Sequence, residues 1–249
     1  MVLDFIAPIF RGLREKTGFD FVVFYEPDEF GRYVEGLSTS LQLMFWSIAL
    51  SLIVGVLGAW ARSSRSRTAR CLVSGYIQLF RNTPPMVQML FFYFALGSLT
   101  PTMDMGGYEE PMISAFAWAV ISLGVFGGAF NAEIFRSGLE AVPDSTREAA
   151  ESLCMTRLQI FRHVTMPLAL RISLPALTAN LVSLAKWTSL AYVISVPELT
   201  FTLNQVWSDN LNTGEMMIVL FFSYVIIVTL FAAVLHRLER RLALPGYGQ

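Results

Sequence analysis

Long uncharged runs alternate with short polar links along this chain. The runs cover Gly36–Ala61, Asn82–Met103, Met112–Ala132 and Met216–Leu235, each near the roughly 20 residues that a helix needs to cross a bilayer. A fifth apolar stretch, Val164–Pro197, is crossed by Arg171 and Lys186. It is long enough to tilt and bring Arg171 to an interface. The pattern predicts an all-α integral membrane protein with five transmembrane helices. The second span starts near Cys71 and runs through Arg81, Thr83 and Pro84. Proline removes a backbone donor and clashes with the preceding turn, so that span is expected to be broken, or lined by protein, in its first half.

The link from Arg136 to His163 is polar but does not read as disorder. Ser145-Thr146-Arg147-Glu148 fits a capping box, in which a hydroxyl and a carboxylate each satisfy a backbone N–H at a helix start, and Thr156 to Gln159 fits it again. Pro143 breaks the preceding segment, and Asp144 places a carboxylate beside a positive helix end. Two short, rigid helices outside the lipid are expected, and a rigid surface at a membrane face suits docking. Alanine is the strongest helix former and a glutamate near a helix start a common cap, so Ala149, Ala150 and Glu148 also admit a purely local reading.

Basic residues alternate by link. Arg62, Arg65, Arg67 and Arg70 crowd the first, Arg136, Arg147, Arg157 and Arg162 the third, and Arg237, Arg240 and Arg241 the tail. The links Thr100–Pro111 and Glu198–Thr213 hold no Lys or Arg. Positive charge marks the cytoplasmic side, which places the N-terminus outside and the C-terminus inside. Arg11, Arg14, Lys16 and Arg32 dissent on the outer side, Arg32 among Glu26, Asp28, Glu29 and Glu35. Residues 1–33 lack the basic-then-apolar layout of a signal peptide, with Asp4 inside the short apolar start, and read as an external or interfacial helix. The remaining divisions are a membrane domain over residues 34–241 and a cytoplasmic tail over 242–249.

Composition adds mostly exclusions. Charged residues are 15% of the chain and hydrophobic ones 54%, against about 25% charged in soluble domains. The net charge of -1 and the sorting of arginines by membrane side argue against a nucleic-acid partner. Cys71, Cys154, His163 and His236 make a poor metal set, and no phosphate-cradling G-x-x-x-x-G-K stretch occurs. The chain is expected to bind no cofactor and to hydrolyse no ATP by itself.

Several motifs, in order, resemble those of one family. Glu148-Ala149-Ala150 with Ser152, Leu153, Met155, Gln159, Arg162 and Met166-Pro167-Leu168 resembles the EAA loop of ATP-binding-cassette importer permeases. Phe80-Arg81-Asn82-Thr83-Pro84-Pro85, Asn131-Ala132-Glu133 with Arg136 and Gly138, and Pro175, Asn180, Leu184, Lys186, Thr188, Ser189 and Glu198 are similar to the polar amino-acid permeases of the histidine, glutamine, arginine and opine group. The resemblance covers about Val34 to Arg241. It implies a type I importer transmembrane domain in the bacterial inner membrane, multi-pass, carrying a polar or charged amino acid or opine. An ATPase dimer binding ATP and magnesium, a second permease subunit and a periplasmic solute-binding protein are the implied partners, beside membrane lipid and the amino-acid substrate. The loop 140–163 would couple to the ATPase through Ser145, Arg147, Glu148, Ala149, Ala150, Glu151, Leu153 and Met155, with Arg147 or Arg157 meeting acidic groups opposite. Cys154 stands where the family carries glycine, and its Cβ argues against a left-handed turn there.

Substrate-path candidates are Arg81, Thr83, Asn131, Glu133, Asn180, Lys186, Thr188, Ser189 and Glu198. A lysine within a span costs about 2.5–3.5 kcal/mol on insertion scales, so Lys186 should face a cavity or pair with an acid, Glu133 or Glu198. A structural ion pair and a wall of the path fit it equally. Asn180, Thr188 and Ser189 could bind substrate or join helices, the latter being the commoner use. Arg81, Thr83 and Pro84 mark either a break bordering a site or a kink packed by protein. An ion-coupled secondary transporter and a passive channel are the alternative functions.

Overall fold

The computed structural model describes residues 2–64, 66–104, 106 and 109–242. Arg65 of the first basic link and residues 243–249 of the tail lie outside the described residues. The described chain holds ten α-helices: α1 Val2–Thr17, α2 Pro27–Arg62, α3 Arg67–Arg81, α4 Pro85–Leu90, α5 Ala115–Glu140, α6 Asp144–Ser152, α7 Arg157–Ile160, α8 Met166–Trp187, α9 Leu199–Asn210 and α10 Thr213–Leu242. A short antiparallel hairpin pairs β1, Thr102–Asp104, with β2, Glu109–Pro111.

Four helical stretches are long and apolar enough to cross a membrane: Pro27–Arg62, Ala115–Glu140, Arg157–Ile194 and Thr213–Leu242. The expected second span is broken, as its prolines suggested. Its apolar part, Pro85–Leu99, is shorter; at about 1.5 Å per residue it reaches roughly 22 Å of a core near 30 Å. Thr83-Pro84-Pro85 separates it from α3, and the hairpin follows it. The helix over Phe91–Leu96 widens into a π turn and tightens into a 3-10 turn at Gly97–Leu99.

Helix ends follow local chemistry. Pro27 opens α2 with Asp28 and Glu29 in its first turn, where proline loses nothing and acids meet the positive helix end. The expected external helix therefore ends at Thr17, and α2 begins several residues before Val34. Gly18, at φ 79°, closes α1 through its N–H to the Arg14 carbonyl at 2.9 Å, a backbone that glycine adopts without cost.

The chain divides into two compact units. The first comprises residues 1–46, 89–120 and 186–229. Its core joins Val22, Val23 and Tyr25 to Leu199, Leu203 and Val206 of α9 and Met216 and Val219 of α10, with Phe10 of α1 packed against it. Polar ties reinforce this core. Asn212 Nδ2 donates to the Asp20 carbonyl at 2.9 Å, and Arg32 meets Asp209 at 2.8 Å. Arg14 lies 3.5 Å from Asp20, so two of the dissenting arginines have acidic partners. Trp118 is only 7% exposed and packs edge-on against Phe92.

The second unit comprises residues 47–88, 121–185 and 230–249. Small residues bring α2 and α5 together. A Cβ added at Gly58 would meet the Ala132 Cβ at 2.8 Å, and one at Gly128 the Val54 side chain within 3 Å. In lipid no apolar driving force separates helix from solvent, so close backbone approach of this kind supplies the attraction.

Candidate coupling loop and buried polar network

The link after α5 folds as two short helices joined by a tight turn. α6 begins two residues earlier than its motif suggests. Asp144 is already helical, Pro143 takes the cap position without a side-chain bond, and the Thr146 N–H reaches the Pro143 carbonyl at 3.1 Å. The expected capping box at Ser145 is therefore absent, because that side chain lies inside the first turn. The second box forms completely. Thr156 Oγ1 accepts from the Gln159 N–H, and Gln159 Oε1 accepts from the Thr156 N–H at 2.8 Å.

The turn between them corrects another expectation. Cys154 adopts φ 57°, a left-handed backbone despite its Cβ. Two bonds hold it: the Cys154 N–H to the Glu151 carbonyl at 2.8 Å, and the Met155 N–H to the Ala150 carbonyl at 3.3 Å. This pair of reversed bonds satisfies carbonyls that the end of α6 would otherwise leave open. The hydrogen-bonded cap overrides the steric cost.

Ala150 faces inward at 5% exposure, while Glu148, Ala149, Glu151 and Leu153 are exposed and Met155 is half-buried. Leu153, just before the turn, is 77% exposed, and Leu158, just after it, is 75% exposed. Arg147 does not project outward. Its guanidinium donates to the Leu139 and Val142 carbonyls at 3.3 and 3.4 Å and lies 3.4 Å from Asp144. It fastens α6 to the C-terminal end of α5. The link is thus a braced bracket with an exposed apolar and acidic face.

Three helices meet at a buried polar relay. Asn180 Nδ2 of α8 donates to Asn131 Oδ1 of α5 at 2.8 Å and to the Gly127 carbonyl at 3.2 Å, and Asn131 Nδ2 donates to Ser51 Oγ of α2 at 3.1 Å. Ser173 adds a bond to the Ile134 carbonyl at 3.3 Å. Both asparagines are buried and spend these polar groups on neighbouring helices, a common use of amides within spans.

Glu133 is not held in reserve for Lys186. Arg62, at the end of α2, meets it at 2.8 Å, and Arg136, one turn along α5, meets it at 2.5 Å while also pairing with Glu140. A partner three residues away on the same helix is always within reach. Glu198, the other proposed partner, is wholly buried and caps α9. Its carboxylate accepts from the N–H groups of Thr200 and Phe201 at 3.0 Å each and from the Tyr224 hydroxyl at 2.7 Å. Lys186 is exposed and makes no ion pair among the described residues. Thr188 is buried, and Ser189 donates to the Lys186 carbonyl at 3.0 Å.

Arg81 ends α3 with its guanidinium 5.4 Å from the centre of the Phe130 ring. Thr83 Oγ1 donates to the Leu79 carbonyl at 2.7 Å. Gln88, absent from the substrate-path candidates, repairs the break: its amide donates to the Phe80 and Thr83 carbonyls at 2.9 and 3.1 Å. The proline pair strips donors from this stretch, and a long amide shortly after it is the signal that could have pointed to Gln88. Ser51 and Tyr224 carried no comparable signal, since hydroxyls in apolar helices are common.

The sequence profile of binding-protein-dependent transport system inner membrane components matches residues 36–244. The glutamine transport system permease protein GlnP of Escherichia coli K12 is 32% identical over 209 residues, 84% of this chain and 92% of that protein. The histidine/lysine/arginine/ornithine transport system permease protein HisQ of the same organism is 30% identical, over 85% of this chain and 93% of its own length. A crystal structure of an amino acid ABC transporter with histidines superposes with a TM-score of 0.74 at 29% identity, covering 85% of this chain and 94% of the other.

Proposed function

This chain belongs to the inner membrane components of binding-protein-dependent transport systems, and from that premise we propose that it is the permease subunit of an importer for a polar or charged amino acid or opine. ATP and magnesium are held by a separate pair of ATPase subunits. A second permease subunit completes the path, and a periplasmic binding protein delivers the cargo. Relatives that bear the names of glutamine and of histidine, lysine, arginine and ornithine transport systems support the cargo class. The chain crosses the membrane five times, with the second crossing made by the broken α3–α4 stretch, the N-terminus outside and the C-terminus in the cytoplasm. The alternation of basic links supports that orientation.

The observation that carries this reading is the braced α6–α7 bracket between two membrane-length helices. Its exposed Glu148, Ala149, Glu151, Leu153 and Leu158 offer a small, stiff contact face. Arg147 ties that face to α5, and the double-bonded turn at Cys154 fixes the angle between α6 and α7, from which the helix runs on through residues 161–165 into α8. A push on the bracket from a closing ATPase pair is therefore transmitted to two spans as a rigid displacement, and the cavity between spans opens to the other side.

The test is reconstitution of the complete transporter in liposomes with Glu148→Lys. The variant is expected to insert and assemble normally, with ATP hydrolysis no longer stimulated by loaded binding protein and uptake abolished. Normal uptake by that variant would overturn the coupling role. Uptake that persists when the ATPase is disabled but collapses with the ion gradient would instead favour a secondary transporter, and flux without either energy source a channel.

A further inference from the structure

α1 precedes the residues matched by the family profile, 36–244, and it has two unlike faces. One is packed into the first unit. Ala7 and Phe10 lie against the core that contains Met216 and Val219 of α10, and Arg11 and Arg14 donate to the Tyr25 carbonyl and hydroxyl at 3.2 and 2.7 Å. The other face is open. Phe5 and Ile9, one turn apart, are 79% and 62% exposed. Residues four and seven apart share a helix face, so Lys16 falls on the same stripe, exposed and without an ion pair among the described residues. Arg11 and Glu15 are exposed to one side of it.

The depth of α1 follows from what holds its C-terminal end. Just beyond Gly18, the Asp20 N–H donates to Glu215 Oε1 at 3.1 Å, and the Asp20 carbonyl accepts from Asn212. Glu215 is the last acid before the uncharged run Met216–Leu235 of α10. α1 therefore ends at the level where that span leaves water for lipid. Phe19, beside Asp20, is 53% exposed there, and Met217 and Ile218 carry exposed apolar surface on from that level along α10. Helices that lie in the plane of a bilayer surface share this pattern: apolar side chains enter the acyl boundary while cations meet anionic headgroups. Lysine fits the apolar stripe, because its stem covers apolar surface while the ammonium reaches the phosphates. Lys16, which dissents from the alternation of basic links, is thereby accounted for.

We propose that the open face of α1 is a membrane-anchoring surface: Phe5 and Ile9 insert into the outer leaflet, and Lys16 binds the phosphate of an anionic phospholipid such as phosphatidylglycerol. The segment leading into α2 and the start of α10, which hold α1 through Tyr25 and through Asp20 with Glu215, are fixed to the bilayer surface by it. The choice of leaflet rests on the outward N-terminus proposed above.

The full-length chain is placed in nanodiscs of phosphatidylcholine, alone or mixed with phosphatidylglycerol. In a C71S/C154G background, one nitroxide is attached at F5C, I9C or E15C. Labels at 5 and 9 are expected to be reached more readily by oxygen than by a water-soluble nickel chelate, with the order reversed at 15. Amide exchange over residues 5–17 should rise about tenfold in F5S/I9S and stay near the parent's in F5L/I9L, with the melting temperature of the chain unchanged in both. Phosphatidylglycerol should add about fivefold protection over phosphatidylcholine, the gain from one surface cation, and K16Q should cancel it. Nickel access at 5 and 9 equal to that at 15, unchanged exchange in F5S/I9S, or equal protection in the two lipids would each overturn the assignment. Protection that arises only with added solute-binding protein, or spin–spin broadening between labels on two copies, would also overturn it by giving the face to a protein. A nanodisc leaves both bilayer surfaces open, so this result stands or falls separately from the orientation and the coupling role proposed above.

Discussion

The amide of Asn180 meets the amide of Asn131 at 2.8 Å, and that single bond joins α8 to α5 inside a buried relay that Ser51 extends to α2. Shortening Asn180 leaves the Asn131 oxygen without this partner, and shortening Asn131 leaves the Asn180 amide only its bond to the Gly127 carbonyl. Asn180→Ala should lower stability by about 1–3 kcal/mol, the range for a buried polar group left without its partner. Asn131→Ala should do the same, and the double variant should cost clearly less than the sum. Thermal unfolding of the purified chain measures all three, and strict additivity would show that the bond carries no energy.

Glu133 sits between two arginines, so its loss takes the acid from Arg62 and leaves Arg136 with Glu140 alone. Glu133→Gln is expected to destabilise the chain by about 1.5–3 kcal/mol, the value of a hydrogen bond to a charged group. Adding Arg62→Gln to that background should cost less than Arg62→Gln alone. The measurement is a double-mutant cycle in detergent or nanodiscs.

Cys154 holds φ 57° where the reversed hydrogen bonds require it. Cys154→Gly relieves about 1–2 kcal/mol of steric cost against about 0.5–1 kcal/mol of added chain entropy. A net gain of roughly 0.5–1 kcal/mol is expected, with uptake unchanged. Cys154→Val should lower the melting temperature, because a branched side chain is worse in that region.

Glu198 lies outside the membrane-length helices, and burial pushes its carboxyl above the ordinary 4.5 even though the N–H groups of Thr200 and Phe201 and the Tyr224 hydroxyl favour the charged form. A raised value means that the folded state holds the proton more tightly. Stability from this group is full below 4.5 and declines as pH climbs toward the raised value. Glu198→Gln should remove that decline from a plot of melting temperature against pH, although it weakens the cap of α9 and lowers the whole curve. An unchanged slope would show that some other group sets it.

The contact face should be separable from stability. Leu153→Ser removes an exposed side chain that touches little of its own chain, so the melting temperature should hold within about 0.5 kcal/mol of stability. Retention of the ATPase subunits on affinity-purified transporter should fall sharply. Retention equal to the parent's would place the contact elsewhere on the bracket.

Much of this was legible from residues alone where the cause is local. The box at Thr156 to Gln159 formed because both partners lie within one turn, and the break at Thr83-Pro84 formed because proline cannot donate. The box at Ser145 failed for an equally local reason: Asp144 and Pro143 let the helix start earlier, and a capping pattern does not fix which residue is first. Cys154 misled because a side chain's steric cost is visible in a sequence while the two backbone bonds that outweigh it are not. Lys186 makes no ion pair among the described residues, and both proposed acids are engaged otherwise, Glu133 with Arg62 and Arg136 and Glu198 as a helix cap.

By itself the sequence determined what depends on composition and period: a helical membrane protein, long uncharged runs, a polar link made of two short helices, and basic residues gathered in alternate links. Transfer into lipid and the helical repeat act on a segment wherever it ends up. Only the tertiary structure decided which polar groups meet. The Asn131–Asn180 bond, the pairing of Arg62 with Glu133 and the turning-in of Arg147 all depend on which helix lies beside which, and short-range forces between groups distant in the chain exist only once packing has brought them within about 3 Å.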